Sequence, residues 1–323
     1  MPTIARAGLG VALMGMLAAP AQAQVSRLPM EVQQVLATLG PKWGSAIREN
    51  IEATAAAFRP LLKAAPKDGV VVAKNLAYGE DARQILDVYQ PIWRAGAPVV
   101  IFIHGGAYVR GDKDAYGEMY GNVATWFARN GLLGINATYR LAPAARWPSG
   151  ADDVRGMVKW AQENAARYGG DGRRVYLIGH SAGATHVASY VFDKSLQPAD
   201  GPGVAGAVLI SGRYRLDYDP ADPNGRNMQA YFGDAASTYA ARSPITHIRD
   251  GARVPVFTVV TEYDNPGLDV TGAELLAALC ARDGACPRFR RLDKHNHLSE
   301  VFAFNTVDEA LGREILEFMR RGR

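Results

Sequence analysis

Ser181 is the middle residue of Gly179-His180-Ser181-Ala182-Gly183, which follows the apolar run Val175-Tyr176-Leu177-Ile178 and precedes a stretch with helical periodicity. A serine between small residues at a strand-to-helix turn is forced into a tight corner. Its hydroxyl then projects over the sheet edge, and the flanking glycines leave room for that approach. Ser181 is therefore the predicted nucleophile. A second motif, His104-Gly105-Gly106-Ala107-Tyr108, closes the run Pro98-Val99-Val100-Ile101-Phe102-Ile103. Acyl transfer builds negative charge on a carbonyl oxygen, and glycines let backbone N–H groups approach it with no Cβ in the way. The N–H groups of Gly105, Gly106 and Ala182 are the predicted oxyanion donors, and loss of one such donor typically raises the barrier by about 3 kcal/mol. His104 is read as a lock on its loop through a side-chain hydrogen bond.

When the nucleophile occupies such a turn, the acid and the histidine follow it in that order along the chain. The run Val254-Pro255-Val256-Phe257-Thr258-Val259-Val260 opens into Thr261-Glu262-Tyr263-Asp264-Asn265-Pro266, where the Asn-Pro step enforces a loop. Asp264 is the predicted acid. Glu262 and Asp269 compete with it, and Asp269 is equally suited to cap a helix over 271–281. Of the histidines at 104, 180, 186, 247, 295 and 297, only the last two lie beyond this loop. His297 directly precedes a helical stretch and is the predicted base, with His295 read as a loop residue. A zinc site on His295 and His297 lacks the third and fourth ligands such a site requires, so no metal is expected. In the implied reaction, His297 takes the hydroxyl proton of Ser181 as it attacks an ester carbonyl. Asp264 fixes the imidazole tautomer, and an acyl-enzyme forms that water then hydrolyses. Because the base must be neutral, turnover should decline below about pH 6 to 7.

These groups need a scaffold that brings distant segments to one rim. Segments near 70–76, 83–89, 98–103, 132–138, 174–178, 205–210, 254–260 and 287–292 read as strands. Helices are predicted near 117–130, 150–168, 182–194, 269–281 and 306–320. The first two strands have no helix between them and should pair antiparallel at one edge, followed by parallel strands with right-handed crossovers. The fold class is therefore α/β, with a mostly parallel central sheet of about eight strands flanked by helices. Reactive groups at strand carboxyl ends converge on the edge where such sheets bind ligands. Residues 26–65 carry Val32, Val35, Leu36, Leu39, Ile47, Ile51, Ala55 and Phe58 at near-helical spacing and are read as a small amino-terminal helical cap or flank. Residues 212–243, with Tyr214, Tyr218, Tyr231 and Phe232, form a long insertion after a strand. Together with Tyr108, Tyr214, Tyr231 and Phe232 are expected to wall the substrate pocket. Arg140 is expected to pair with Asp152 or Asp153.

The chain has 323 residues, 48% hydrophobic and 21% charged, a balance that suits one large core. No Pro/Ser-rich linker divides it, so residues 24–323 are expected to form a single domain. Residues 1–23 differ: Arg6, a short apolar stretch from Ala7 to Ala19, then Ala21-Gln22-Ala23 ahead of Gln24. That pattern predicts a secretory signal cleaved after Ala23, with no stable membrane insertion afterwards and a periplasmic or secreted product. An oxidising compartment would allow the two cysteines, Cys280 and Cys286, to form a disulfide. Closing so short a loop stabilises by about 2 kcal/mol; the alternative is a packed Cys280 and a free Cys286. The net charge of +4 comes from 36 basic residues scattered among 32 acidic ones, with no nucleic-acid module, so no nucleic-acid partner is expected.

Several stretches together carry a family resemblance. Residues from about 74 to 320 resemble the α/β-hydrolase superfamily near its hormone-sensitive-lipase-like carboxylesterases and kynurenine-formamidase-like members. The matching blocks are His104-Gly105-Gly106-Ala107-Tyr108, Tyr139-Arg140-Leu141-Ala142-Pro143, Gly179 to Ala184, Ser243-Pro244-Ile245 and His297-Leu298-Ser299-Glu300-Val301. The resemblance implies esterase activity on small to medium acyl groups, no cofactor, a small-molecule ester substrate, and Ser181, Asp264 and His297 as the triad. Ala107 stands where many relatives have Gly, and Thr185 where formamidase-like members often carry His. An amide-directed hydrolase, such as an arylformamidase or a peptidase, is the alternative.

Overall fold

In β3 (Ala97–Ile103), Val99, Ile101 and Ile103 pack into one hydrophobic cluster and Val100 and Phe102 into another. That is the signature of a strand covered on both faces, where period-two side chains enter two separate cores. The computed structural model describes residues 27–321 apart from 94, 218, 220, 221 and 223; the predicted signal, residues 1–23, and Tyr218 lie outside the described residues.

Eight strands form one sheet: β1 (Val70–Ala77), β2 (Ile85–Pro91), β3, β4 (Leu133–Ala137), β5 (Gly170–His180), β6 (Gly206–Ile210), β7 (Val256–Tyr263) and β8 (Arg288–Asn296), in the order β1-β2-β4-β3-β5-β6-β7-β8. β2 pairs antiparallel with both β1 and β4, and every later pairing is parallel. One face is covered by α4 (Ser149–Asn164), α5 (Ala182–Phe192) and α8 (Leu268–Asp283), which contribute Val154, Val187 and Leu275 to the first cluster. The other face is covered by α1 (Met30–Leu39), α2 (Ile47–Ala64), α3 (Glu118–Arg129), α9 (Ser299–Phe302) and α10 (Ala310–Arg321). Leu36, Phe58, Val123, Val301 and Phe318 anchor them in the second cluster.

The insertion after β6 contains α6 (Gly225–Phe232) and α7 (Tyr239–Arg242). The last helix begins at Ala310, later than its periodicity suggests, because Asp308 accepts the Ala310 N–H in a turn ahead of it. Cys280 and Cys286 are disulfide-bonded, joining the end of α8 to the approach to β8. Among the described residues, no helix is long and apolar enough to cross a membrane.

Candidate active site

Five strands deliver the site from their carboxyl ends. Ser181 follows β5 with φ of 55°, a strained value for a non-glycine residue, and the next residue opens α5. Its N–H donates to the Ile210 carbonyl at 2.8 Å, tying the turn to β6. Space dictates the glycines here: a Cβ on Gly183 would collide with the carbonyl oxygen of Ile103, and one on Gly105 would lie 2.9 Å from the Ser181 Cβ. Gly105 and Gly106 follow β3, and among the described residues no acceptor takes up their N–H groups. Gly106 has φ of 137°, and its carbonyl accepts from the N–H groups of Val109 and Arg110, curling the loop back on itself.

Asp264 follows β7 and His297 follows β8. The His297 Nδ1 lies 2.7 Å from Asp264 Oδ1, leaving Nε2 as the outward nitrogen. Ser181, His297, Gly105 and Gly106 line one cavity of about 180 Å³, bounded also by Ile47, Ile51, Tyr116 and Leu298. A second space of about 30 Å³ opens on Ser181 and Ala182 from the other side, lined by Tyr108, Arg213, Met228 and Leu268. Burial alone would raise the Asp264 carboxyl, but the His297 imidazole, the Ser211 hydroxyl and the Asn265 N–H together hold it below the usual range.

The other candidates have separate duties. Glu262 accepts the Lys294 N–H at 2.7 Å and pairs with Arg291. Asp269 sits in the first turn of α8, whose N-cap is Gly267. His295 is not a loop residue: it lies in β8, next to its last residue, buried, with Nδ1 3.0 Å from Ser299 Oγ and Nε2 3.1 Å from Asp308. His104 is buried with Nδ1 donating to the Gly105 carbonyl at 2.6 Å, and burial pushes it down to about 4. Arg83, in the turn between β1 and β2, ties the same loop to the segment after β4 by donating to the carbonyls of Gly111 at 2.7 Å and Tyr139 at 2.9 Å. Arg140 pairs with Asp153 at 2.7 Å.

The aromatic wall expected from the insertion is corrected by the packing. Tyr108 does line the smaller space, and its hydroxyl donates to Thr185 Oγ1 at 3.1 Å. Tyr214, Tyr231 and Phe232 line neither cavity. The Tyr231 hydroxyl accepts the Gly150 N–H at 2.9 Å, that of Tyr214 accepts the Gly212 N–H at 3.2 Å, and Phe232 packs edge-on against Tyr108. Large amphipathic rings gain more by burying their area and satisfying the hydroxyl inside than by facing a wet cavity. Met228 and Leu268 take the lining role instead.

Three buried residues behind the imidazole have no role assigned from sequence. Ser211, after β6, lies 2.6 Å from Asp264 Oδ2. His180 Nε2 donates to the His297 carbonyl at 2.8 Å, and burial together with the neighbouring imidazole lowers it to about 3. Glu300, in α9, faces the same cluster. The one hint in the sequence was an acidic residue directly before the apolar run Val301 to Phe304. Trp43 donates its indole N–H to Asn265 Oδ1 at 2.8 Å, linking the amino-terminal helices to the acid loop.

A serine on the strained turn after β5, glycine N–H groups after β3 and an Asp-paired histidine after β8, carried on this eight-stranded sheet, form the arrangement of the α/β-hydrolase fold. Residues 86–193 match the family model described as BD-FAE. The chain is 32% identical over 151 residues to Esterase LipC of Mycobacterium tuberculosis, covering 44% of this chain and 36% of that protein. It is 27% identical over 249 residues to Esterase LipQ of the same organism, covering 71% of this chain and 58% of that protein. The matches thus span less than two thirds of these relatives' own length. Among solved structures, an esterase of Pyrobaculum calidifontis superposes with a TM-score of 0.68 at 21% identity, covering 91% of this chain and 98% of the other. Esterase B from Lactobacillus rhamnosis superposes at 0.67 with 19% identity over 91% and 96%. At these identities the structural likeness speaks for the fold.

Proposed function

We propose that this α/β-hydrolase is a serine carboxylesterase acting on small-molecule esters of small to medium acyl groups. The observation that carries the proposal is the meeting of Ser181, His297 and two unused glycine N–H groups on one cavity, with Asp264 at 2.7 Å from the imidazole. Ser181 Oγ attacks the ester carbonyl while its proton passes to His297 Nε2. The oxyanion takes hydrogen bonds from Gly105, Gly106 and Ala182, and the alcohol leaves with the proton held by His297. Water, deprotonated by the same nitrogen, then releases the acid and restores the serine. The esterase names of the sequence relatives support this reading.

The test is hydrolysis of para-nitrophenyl acetate and butyrate by the mature chain. Ser181→Ala should lower kcat by about 10³-fold or more and abolish labelling by a fluorophosphonate. Turnover confined to N-formyl aromatic amides would replace the ester reading with a formamidase one. Undiminished activity in Ser181→Ala would remove both. The proposal includes export: residues 1–23 act as a cleaved signal, so the amino-terminal sequence of the exported protein should begin at Gln24 and not at Met1.

A further inference from the structure

Behind His297 lies a closed arrangement of polar groups whose protons can be counted. Asp264 Oδ1 faces His297 Nδ1 at 2.7 Å and the Asn265 N–H at 2.8 Å; Oδ2 faces Ser211 Oγ at 2.6 Å and the Thr261 N–H at 3.3 Å. With backbone N–H donors on both oxygens, this carboxylate is arranged to accept everywhere. The Ser211 hydroxyl has one proton, and the short contact to Asp264 consumes it. Yet Ser211 Oγ also lies 3.0 Å from Glu300 Oε2. With the serine proton already given away, that contact is a hydrogen bond only if Glu300 is the donor.

The other oxygen of Glu300 agrees. Oε1 is buried, has no well-formed hydrogen bond, and lies 3.3 Å from His180 Nε2. That nitrogen carries a proton, because it is engaged with the His297 carbonyl, which can only accept. A charged, wholly buried carboxylate with one oxygen left so poorly served would be costly; a neutral acid has its C=O in that place. Among the described residues, no lysine or arginine pairs with it. The titratable groups around it are His180, His297 and Asp264 on one side, with Tyr214 beyond, and His295, Asp308 and Glu309 lining a small cavity on the other. His295 and Asp308 pair with each other, and Glu309 accepts the Trp126 indole N–H.

We propose that Glu300 is a positioning residue of the hydrolytic site, a carboxylic acid kept neutral that donates to Ser211, so that Ser211 can donate to Asp264 and Asp264 can hold the imidazole of His297. This rests on the reading of Ser181, Asp264 and His297 as the working triad. The neutral state also spares His297 a second anion, since Glu300 Oε1 is 3.8 Å from its Nδ1. Burial and the neighbouring Asp264 charge both push the Glu300 carboxyl far above the usual range, in the same direction as the geometry.

The test compares Glu300→Gln with Glu300→Ala in the full enzyme, reading kcat, KM and the acid limb of the pH profile. Gln supplies a neutral donor to Ser211. Its kcat should stay within about threefold to fivefold of the parent with the acid limb unmoved, while Ala loses about tenfold or more in kcat with KM little changed. If Glu300 is instead ionised, Glu300→Gln deletes a negative charge beside His297 and moves the acid limb to lower pH by about a unit, which overturns the proposal. Equal kcat in both variants overturns it as well. Should the variants fold poorly, infrared spectra of the parent at neutral pH decide. A protonated-carboxyl stretch insensitive to added inhibitor supports the proposal, and its absence refutes it. Failure of the triad reading is separately visible, as activity surviving in Ser181→Ala.

Discussion

Asp264 shows how one side chain can be kept ionised out of contact with water. Donors from two backbone N–H groups, a serine and a histidine replace the solvent that a buried carboxylate would otherwise lose. An amide in its place cannot accept so uniformly, and it offers N–H where His297 Nδ1 needs an oxygen. Asp264→Asn should therefore lower kcat by about 10³ to 10⁴-fold with little change in KM, measured on para-nitrophenyl butyrate; a loss below tenfold would show that the acid does not set the imidazole's orientation. At this scale the reacting residues were legible because their types are scarce and their order along the chain is constrained. Only two histidines follow the acid loop. Ser211 and Glu300 were not legible, because an ordinary serine and an ordinary glutamate acquire meaning only through burial against each other. Tyr231 and Phe232 misled for the same reason: an aromatic residue in an insertion does not reveal which way it faces.

The elements contribute in unequal ways. β3 and β5 to β8 place the chemistry, whereas α2 shapes the room for the substrate through Ile47 and Ile51. Ile51→Ala enlarges that room, and discrimination of about 1 to 3 kcal/mol per methylene makes the effect measurable. Across a chain-length series of esters, the ratio of kcat/KM for the longer to the shortest ester should rise by about tenfold. An unchanged ratio would mean that α2 does not bound the substrate. Strands were read well because their apolar runs are buried on both faces and stand out from the turns between them. The helical segment over residues 26–65 could be recognised as helix but not oriented, since its apolar stripe fits a flank or a lid equally. The Trp43 to Asn265 hydrogen bond that resolves its position joins residues on opposite halves of the chain, beyond the reach of any local pattern.

For the molecule as a whole, the pH dependence of stability follows from three histidines locked in the interior. His104, His180 and His186 are buried, and burial lowers them to about 4, 3 and 3. Each is neutral in the folded protein down to those values but takes up a proton on unfolding below its ordinary value of 6.5. The unfolded state thus binds more protons, and the stability these groups contribute, complete above about pH 6.5, is lost as pH falls toward 4 and below. The slope is about 1.4 kcal/mol per pH unit for each histidine while it titrates, and Glu300, raised by burial and by the Asp264 charge, acts with the opposite sign as a single group above its ordinary value of 4.5. Urea midpoints measured from pH 7 to pH 4.5 should fall steeply, and His186→Phe should flatten the decline; a midpoint independent of pH over that range would contradict the burial of these rings. The antiparallel pairing of β1 with β2 at one edge was foreseeable from the missing helix between them, but the placing of β4 between β2 and β3 and the two-sided distribution of the helices emerge only in the assembled sheet.

Arg83 gives this architecture an evolutionary corollary. It lines neither cavity beside Ser181, yet from the turn between β1 and β2 it grips, at Gly111, the loop bearing Gly105 and Gly106. A genetic screen that scores only loss of function would return position 83 among the reacting groups. Transplanting the loop into another scaffold without its distant arginine would carry over the letters of the motif but not its shape.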